Sequence, residues 1–181
     1  MPATNLSAIA KWPNVPACYG WLSLDRRGRW RLQGEPVTHA GLIAFINRQY
    51  GSDEAGRWYL QNGPQRVFAA LDYTPWVLRR ETDGSFTTHT GAPAGATTAA
   101  FLDDAGSVLL HCSVGIGLLD DRDLPAFFED CLKPDGTAAD EAALIEVMAG
   151  GGGVFWNELA LQPIHRTNVA TYFNFQPEPT P

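Results

Sequence analysis

The sequence YGWLSLDRRGRWRLQGEPVTHAGLIAFINRQYGSDEAGRWYLQNGP, residues 19–64, decides the fold. Trp21, Leu22 and Leu24 precede the run DRRG at residues 25–28, which predicts a tight turn, because glycine accepts the positive φ that a short hairpin loop needs. On the return strand, Trp30 and Leu32 alternate with polar residues. We therefore expect a two-stranded hairpin with one apolar and one polar face.

A helix is expected after the hairpin, because apolar residues recur there at helical spacing. Thr38 is its predicted N-cap, and Gly51 is predicted to end it. A polar turn at residues 52–56 then leads to a third strand that begins at Trp58. The apolar stripe of the helix consists of Leu42, Phe45, Ile46 and Tyr50.

Residues 100–128 repeat the parts of this stretch in weaker form. Leu102–Gly106 matches Leu24–Gly28, and the apolar residues of the expected strand and helix that follow also match after a short insertion. The match indicates either an internal duplication of a hairpin-plus-helix unit or the general likeness of any two hairpins whose turns have the pattern D-x-x-G. Both interpretations stay open at the level of the sequence.

The pattern as a whole predicts an α+β fold in which helices pack on antiparallel sheets. We expect two halves, an N-terminal α+β half over residues 1–64 and a C-terminal α+β half over residues 65–181, which together form one compact unit. In the second half, we expect a strand buried on both faces at residues 67–71 and a hairpin turn at residues 82–85. We also expect helices at residues 121–132 and after Thr137 or Asp140, a last strand at residues 154–161 and a loose Pro-rich tail.

Composition limits the classes of function. The formal net charge is −7, which argues against nucleic-acid binding by the whole surface. Residues 1–64 carry seven Lys or Arg and four Asp or Glu, whereas residues 65–181 carry six and sixteen. No apolar run is long enough to span a membrane and no signal peptide is recognisable, so a cytoplasmic protein without membrane contact is expected. The oligomeric state stays open.

The residue types that carry chemistry are few. The three cysteines lack regular spacing, and Cys18 and Cys112 are expected to be buried apolar side chains. No two of the four histidines have the spacing of metal ligands. We therefore expect no metal, no cofactor and no established catalytic residue. One alternative is a small hydrolytic enzyme that uses Asp72 with His89 or His111, on strands predicted to be neighbours. Another is weak nucleic-acid contact through the arginine-rich hairpin Arg26–Arg31.

The preferred hypothesis is a non-catalytic module that binds a small molecule or a peptide. Several amide side chains and one arginine lie close together in the sequence near residue 64, where the two oppositely charged halves are expected to meet. Such groups can hydrogen-bond a ligand. The bland interpretation is a turn whose amides satisfy backbone groups. The candidate binding residues are Trp58, Gln61, Asn62, Gln65 and Arg66.

Three runs resemble an uncharacterised proteobacterial family of unknown function. They are G-x-W-x-x-x-G-x-P-V-x-H-x-x-L from Gly28, G-x-W-x-L-x-x-G-P from Gly56 and V-x-x-x-L-D-x-T-P-W from Val67. The runs WPNVPACYGWL and QNGPQRV resemble a narrower branch, and the likeness covers about residues 12–128. It implies an α+β fold with a duplicated motif, a second half similar to a pleckstrin-homology module, and a ligand bound between the halves, with a role in signalling. Gln65 and Tyr73 replace acidic residues frequent in the family.

Overall fold

The structure is a computed structural model and describes residues 12–181. The chain forms two compact units. The first contains the residues up to Pro75 together with Asn174–Pro181, and the second contains Trp76–Phe173. The strand at residues 65–71, which the division at residue 64 assigns to the second half, pairs within the sheet of the first unit. Each unit is described by itself below.

Within the described residues, the first unit has a six-stranded sheet with the order β3-β2-β1-β6-β5-β4. Strand β1 pairs antiparallel with β2 and parallel with β6, so the sheet is mixed. One helix, α1 (Ala40–Gln49), connects β3 to β4. The strands are β1 (Ala17–Leu24), β2 (Trp30–Leu32), β3 (Glu35–Pro36), β4 (Tyr50–Ser52), β5 (Trp58–Asn62) and β6 (Gln65–Leu71).

Helix α1 packs through two residues four positions apart, Leu42 and Ile46, which are 2% and 0% exposed. The spacing places both on one face of the helix, as the apolar stripe predicts. The N-cap is His39 and not Thr38, since His39 Nδ1 accepts a hydrogen bond from the backbone N–H of Leu42 at 3.1 Å. The helix also ends earlier than predicted, and the chain enters β4 at Tyr50 without an intervening loop.

Within the described residues, the second unit has an eight-stranded sheet with the order β12-β13-β14-β9-β10-β11-β7-β8. Its helices are α2 (Leu124–Glu129), which follows a short 3₁₀ turn, α3 (Glu141–Met148) and α4 (Val169–Tyr172). The strands are β7 (Trp76–Arg80), β8 (Phe86–Thr88), β9 (Thr97–Asp103), β10 (Val108–Cys112), β11 (Gly115–Leu119), β12 (Cys131–Leu132), β13 (Phe155–Trp156) and β14 (Leu159–Ile164).

The two sheets repeat one topology, which confirms the duplicated unit. In the first unit, three strands, a helix and three more strands form the order β3-β2-β1-β6-β5-β4, with β6 parallel to β1. In the second unit, β9 to β14 with α2 form the equivalent order β11-β10-β9-β14-β13-β12, with β14 parallel to β9. The second unit adds the β7–β8 hairpin beside β11 and inserts α3 between β12 and β13.

Three turns of the pattern D-x-x-G have the same construction. Asp25, Asp53 and Asp103 each accept, at Oδ1, hydrogen bonds from the backbone N–H groups two and four residues later, at 2.8–3.0 Å. The glycines in the fourth position have positive φ, +75° at Gly28 and +83° at Gly106. The turns predicted at residues 25–28 and 103–106 are therefore confirmed, and the polar turn before β5 is a third example.

The end of the chain differs from the expectation in two places. Residues 154–161 form parts of two strands, β13 and β14, joined by a two-residue turn, and not one strand. The tail, expected to be loose, is bonded to the first unit: the backbone N–H of Gln176 donates to Gly56 O at 2.8 Å, and that of Leu71 donates to Pro177 O at 2.7 Å. Asp140 caps α3, as one of the two alternatives predicted, through a bond from Ala143 N.

Candidate functional site

The five candidate residues lie on β5 and β6, where the strand register distributes them over two faces of the sheet. Gln61 is the direct partner of Arg66, and Asn62 is the direct partner of Gln65. Partners in an antiparallel pair project to the same side, and successive residues project to opposite sides. Gln61 and Arg66 therefore share one face, whereas Trp58, Asn62 and Gln65 share the other.

Gln65 is a structural residue. It is 8% exposed, and its Nε2 donates to the carbonyl oxygens of Pro13 at 2.7 Å and Val15 at 2.6 Å. Its Oε1 accepts a hydrogen bond from Asn62 Nδ2 at 3.1 Å. The Nε2 end thus fixes the extended segment before β1 and the Oε1 end holds Asn62, so both ends of this side chain are occupied by the fold.

Gln61 and Trp58 also have local partners. Gln61 Nε2 donates to the carbonyl oxygens of Gly63 at 2.6 Å and Gln65 at 3.2 Å, so the amide satisfies its own turn. The half-buried Trp58 ring lies 4.9 Å from the Tyr50 ring, which in turn lies 4.9 Å from that of Trp30. The tryptophan is part of an aromatic cluster on the helix face of the sheet.

Arg66 alone of the five candidates presents a charged group to solvent. Its guanidinium lies over the Tyr59 ring at 4.6 Å from the ring centroid, in the geometry of a cation–π contact. Within residues 12–181 it makes no ion pair, so its N–H groups stay available to a ligand. It stands at the wall of a concavity of about 490 Å³ that is lined by Ser52, Asp53, Glu54, Ala55, Arg57, Tyr59 and Arg66.

A second arginine at the concavity is held by the fold. Arg57 Nε and Nη2 each lie 2.8 Å from Asp53 Oδ2, and its guanidinium covers the Phe68 ring at 4.8 Å. Partial burial acts to raise the pKa of Asp53, but hydrogen bonds from Arg57 outweigh it and lower the pKa. The Tyr19 ring stacks on Phe68 with ring centroids 4.6 Å apart. The face thus combines a flat aromatic surface with two guanidinium groups. That of Arg57 is paired with Asp53, and that of Arg66 has no ion pair within residues 12–181.

Sequence reasoning missed Tyr59 and Arg57, although a signal for both was present. Alternation along β5 puts residues 57, 59 and 61 on one face, and the D-x-x-G turn at Asp53 places an acidic oxygen beside Arg57. Recognising the turn of residues 53–56 as a hairpin turn would have fixed this register. The prediction instead relied on the amide side chains, whose hydrogen-bond partners lie in their own turn or up to 52 residues away.

The residues of the hydrolytic alternative do not lie on neighbouring strands. Asp72 follows β6 in the six-stranded sheet, whereas His111 is on β10 and His89 follows β8 in the eight-stranded sheet. His89 Nδ1 accepts a bond from Val77 N at 3.2 Å, and burial lowers the pKa of His89 to about 3. Such an imidazole is neutral and already used by the backbone, which does not suit a proton-transferring group.

Arginines of the arginine-rich hairpin make contacts within the fold. Arg29 Nε and Arg31 Nη2 lie 2.8 Å and 3.3 Å from Oδ2 of Asp25, a carboxylate that is 6% exposed. Arg26 covers the Tyr73 ring at 4.7 Å from its centroid. These contacts commit three of the four arginines to the fold.

The described part of the chain contains no group of three or more His, Cys, Asp or Glu side chains arranged to hold a metal ion. Among the helices of residues 12–181, none is both long and apolar enough to cross a membrane. Cys18 and Cys112 are free and buried, as expected. Cys131 is also free and buried, and burial raises its pKa to about 12.

Comparison with known proteins identifies the family. The model of the family DUF2944, described as "Protein of unknown function (DUF2946)", matches residues 1–180. The chain belongs to this family. No curated protein matches it.

Two solved structures of DUF1285 family proteins match the chain. The crystal structure of a DUF1285 family protein from Silicibacter pomeroyi DSS-3 is similar over 74% of this chain and 87% of that one, with a TM-score of 0.53 and 20% identity. A DUF1285 family protein from Shewanella baltica OS155 is similar over 59% of this chain and 88% of that one, with a TM-score of 0.45 and 17% identity. The first likeness shows a shared fold. The resemblance to a family of unknown function is confirmed by the match to the family model.

Proposed function

We propose that the protein is a non-catalytic binding protein whose first unit holds a small anionic ligand, a carboxylate or a phosphate, at the face formed by Tyr59, Gln61 and Arg66. One observation carries this proposal: the Arg66 guanidinium is stacked on Tyr59 beside a concavity, with no ion pair inside the described chain. Arginine binds planar oxyanions through paired N–H donors, and stacking on a ring pre-orients the group.

The surroundings favour a ligand that also has a flat apolar part. The Tyr59 ring lies 5.7 Å from the Phe68 ring, which is itself stacked on Tyr19. An aromatic or heterocyclic group could pack against such a surface while its anionic substituent binds Arg66. Asp53 and Glu54, which also line the concavity, disfavour a ligand with many negative charges.

In this proposal the five original candidates have unequal roles. Arg66 binds the ligand, and Gln61 beside it offers its Oε1 as an acceptor. Trp58, Asn62 and Gln65 support the strand pair from the opposite face. The family resemblance implies a site between the two halves, a signalling role, a bacterial setting and a pleckstrin-homology-like second half, and these stay predictions. The cytoplasmic location, expected from the sequence, also stays a prediction.

The test is a thermal-shift screen of the full chain against inorganic phosphate, mononucleotides and aromatic carboxylates, since a ligand that binds the folded state raises its melting temperature. Any compound that stabilises the wild type is then titrated against Arg66→Gln, Tyr59→Leu and Arg27→Gln. We expect Arg66→Gln to weaken binding roughly 10- to 100-fold, because a charge-assisted hydrogen bond is lost.

Arg27→Gln is the matched control, because it removes an exposed arginine from another part of the same unit. Binding that survives Arg66→Gln but not Arg27→Gln would refute the proposed site and favour the arginine-rich hairpin. If no anion in the screen stabilises the wild type, the proposal of an anion-binding protein fails.

A further inference from the structure

An exposed apolar pair marks the edge of the sheet in the second unit. Leu132 on β12 is 43% exposed, Phe155 on β13 is 37% exposed, and the two are direct cross-strand partners. Side chains of such partners stand side by side on one face, with Cβ atoms about 5 Å apart. They belong to the lining of a concavity of about 520 Å³, together with Asp130, Lys133, Pro134, Gly136, Asn157 and Glu158.

The backbone at this edge is already paired. The N–H of Lys133 donates to Thr137 O at 2.8 Å, and the N–H of Ala139 donates to Cys131 O at 2.9 Å. A partner therefore cannot bind here by adding a strand along the outer side of β12, a mode that needs free edge groups. Recognition at this site has to proceed through side chains that enter the concavity.

The charges that line the concavity leave one carboxylate unbalanced. Asp130 pairs with Arg80 at 2.5 Å, and Lys133 pairs with Asp140 at 2.8 Å. Glu158 is exposed and has no ion pair within residues 12–181. A ligand that enters the concavity thus meets an apolar floor and a single uncompensated negative charge at its rim.

Glu158 is held in an unfavourable backbone conformation. It forms with Asn157 the two-residue turn between β13 and β14, and the φ angles are +45° for Asn157 and +64° for Glu158. A turn of this kind requires positive φ at both positions, for which Asn-Gly is the preferred pair. Glutamate in place of glycine is strained, and strained residues of this kind concentrate at functional sites.

We propose that this concavity binds a segment of a partner protein in which an apolar side chain neighbours a lysine or an arginine. The apolar side chain packs on Leu132 and Phe155, and the cation pairs with Glu158. The charge of the whole unit favours such a partner: Trp76–Phe173 contains five Lys or Arg and fourteen Asp or Glu, a net charge of −9. An acidic unit attracts cationic segments over a longer range than one ion pair does.

The test is a phage-display selection of random heptapeptides on the full-length wild-type chain, followed by fluorescence anisotropy with the enriched peptides. We expect the enriched peptides to contain a leucine, isoleucine or aromatic residue next to Lys or Arg. Their affinity should fall as the salt concentration rises, because part of it is electrostatic.

Four variants separate the contributions. Glu158→Gln should weaken binding roughly fivefold and Phe155→Ala roughly tenfold. Glu158→Gly removes the carboxylate together with the strain, so it should raise the melting temperature and still weaken binding. Ile145→Ala removes another exposed apolar side chain, 55% exposed on α3, and should leave binding unchanged.

Several results would overturn the proposal. If the selection on the wild type enriches no peptides beyond those selected on the Phe155→Ala chain, or if it enriches acidic peptides, the result contradicts the proposal. The proposal also fails if the enriched peptides bind both Glu158 variants with the affinity of the wild type. Concentration-dependent self-association of the wild type that disappears in Phe155→Ala would show that a second copy of the chain covers the pair. None of these outcomes depends on the anion site, because Arg66 is in the other unit.

Discussion

Replacement of Gly56 by alanine is expected to destabilise the first unit far more than the same replacement of Gly20. The two glycines have nearly equal φ angles, +77° and +74°, so each alanine carries a left-handed backbone cost of about 1 kcal/mol. A Cβ on Gly20 meets nothing within 4 Å. A Cβ on Gly56 would stand 2.4 Å from the carbonyl oxygen of Asn174 and 2.9 Å from Phe175 Cα.

Both of these neighbours are backbone atoms, so no rotamer change relieves the clash, and the segment 174–181 must move. Phe175 is 8% exposed in the folded chain, and its exposure on release of the segment lowers stability by about 2 kcal/mol. It also breaks the backbone hydrogen bonds of Gln176 and Pro177 with the unit, at about 1 kcal/mol each. Full release therefore adds about 4 kcal/mol as an upper limit, which brings Gly56→Ala to about 5 kcal/mol.

The measurement is urea unfolding of both variants, alone and combined with Phe175→Ala. Phe175→Ala loosens the segment, so Gly56→Ala should cost less in that background, and the double-mutant cycle measures the difference. Chymotrypsin cleavage after Phe175, followed by mass spectrometry, should be faster in Gly56→Ala than in Gly20→Ala. Equal free energies of unfolding for the two single variants, or equal cleavage rates, would refute the reasoning.

Three further predictions concern buried polar groups. Gln65→Ala should lower the free energy of unfolding by about 2 kcal/mol, since it leaves two carbonyl oxygens without their donor; urea titration measures this. Because burial lowers the pKa of His89 to about 3, only the unfolded chain takes up this proton, and stability falls as the pH drops below 6.5. Between pH 8 and pH 5, the free energy of unfolding of the wild type should fall by about 2 kcal/mol more than that of His89→Asn. His165→Asn is the control, and equal falls for the wild type and His89→Asn would contradict the prediction. Hydrogen bonds from the Arg122 guanidinium, opposed by burial, lower the pKa of Asp120 to about 2. Asp120→Asn should therefore cost about 2 kcal/mol at pH 7, and progressively less as the pH falls from about 4 to about 2.

Local chemistry explains which parts of the fold could be predicted from the sequence. The turns at Asp25 and Asp103 depend on a carboxylate and a glycine three positions apart, so a short window contains their cause. The apolar stripe of α1 is equally local. The strand β4 was missed because it has three residues and begins directly at the helix end, which leaves no loop signal between the two elements.

The candidate site was harder to predict, because its assignment depends on pairing between strands. The same amide that suggests ligand binding in a sequence can satisfy distant backbone groups, and Gln65 bonds a carbonyl oxygen 52 residues away. The role of Arg66 depends on Tyr59, which only the register of β5 against β6 places beside it. Residue type and order therefore indicated a strand pair, but they could not separate its two faces.

The repeated topology gives a reason to expect different binding chemistry in the two units. The turn Gly63–Pro64 between β5 and β6 is equivalent to the turn Asn157–Glu158 between β13 and β14, since each joins the last two strands of the repeat. The first turn has a positive φ only at Gly63, +56°, because Pro64 fixes a negative φ, whereas the second turn keeps a glutamate at φ +64°. The first unit therefore makes the same connection without a strained residue, so the topology alone does not call for the glutamate. The strain at Glu158 is therefore most simply explained by selection for its carboxylate, and Glu158→Gly tests this directly, because it should increase stability while it weakens binding.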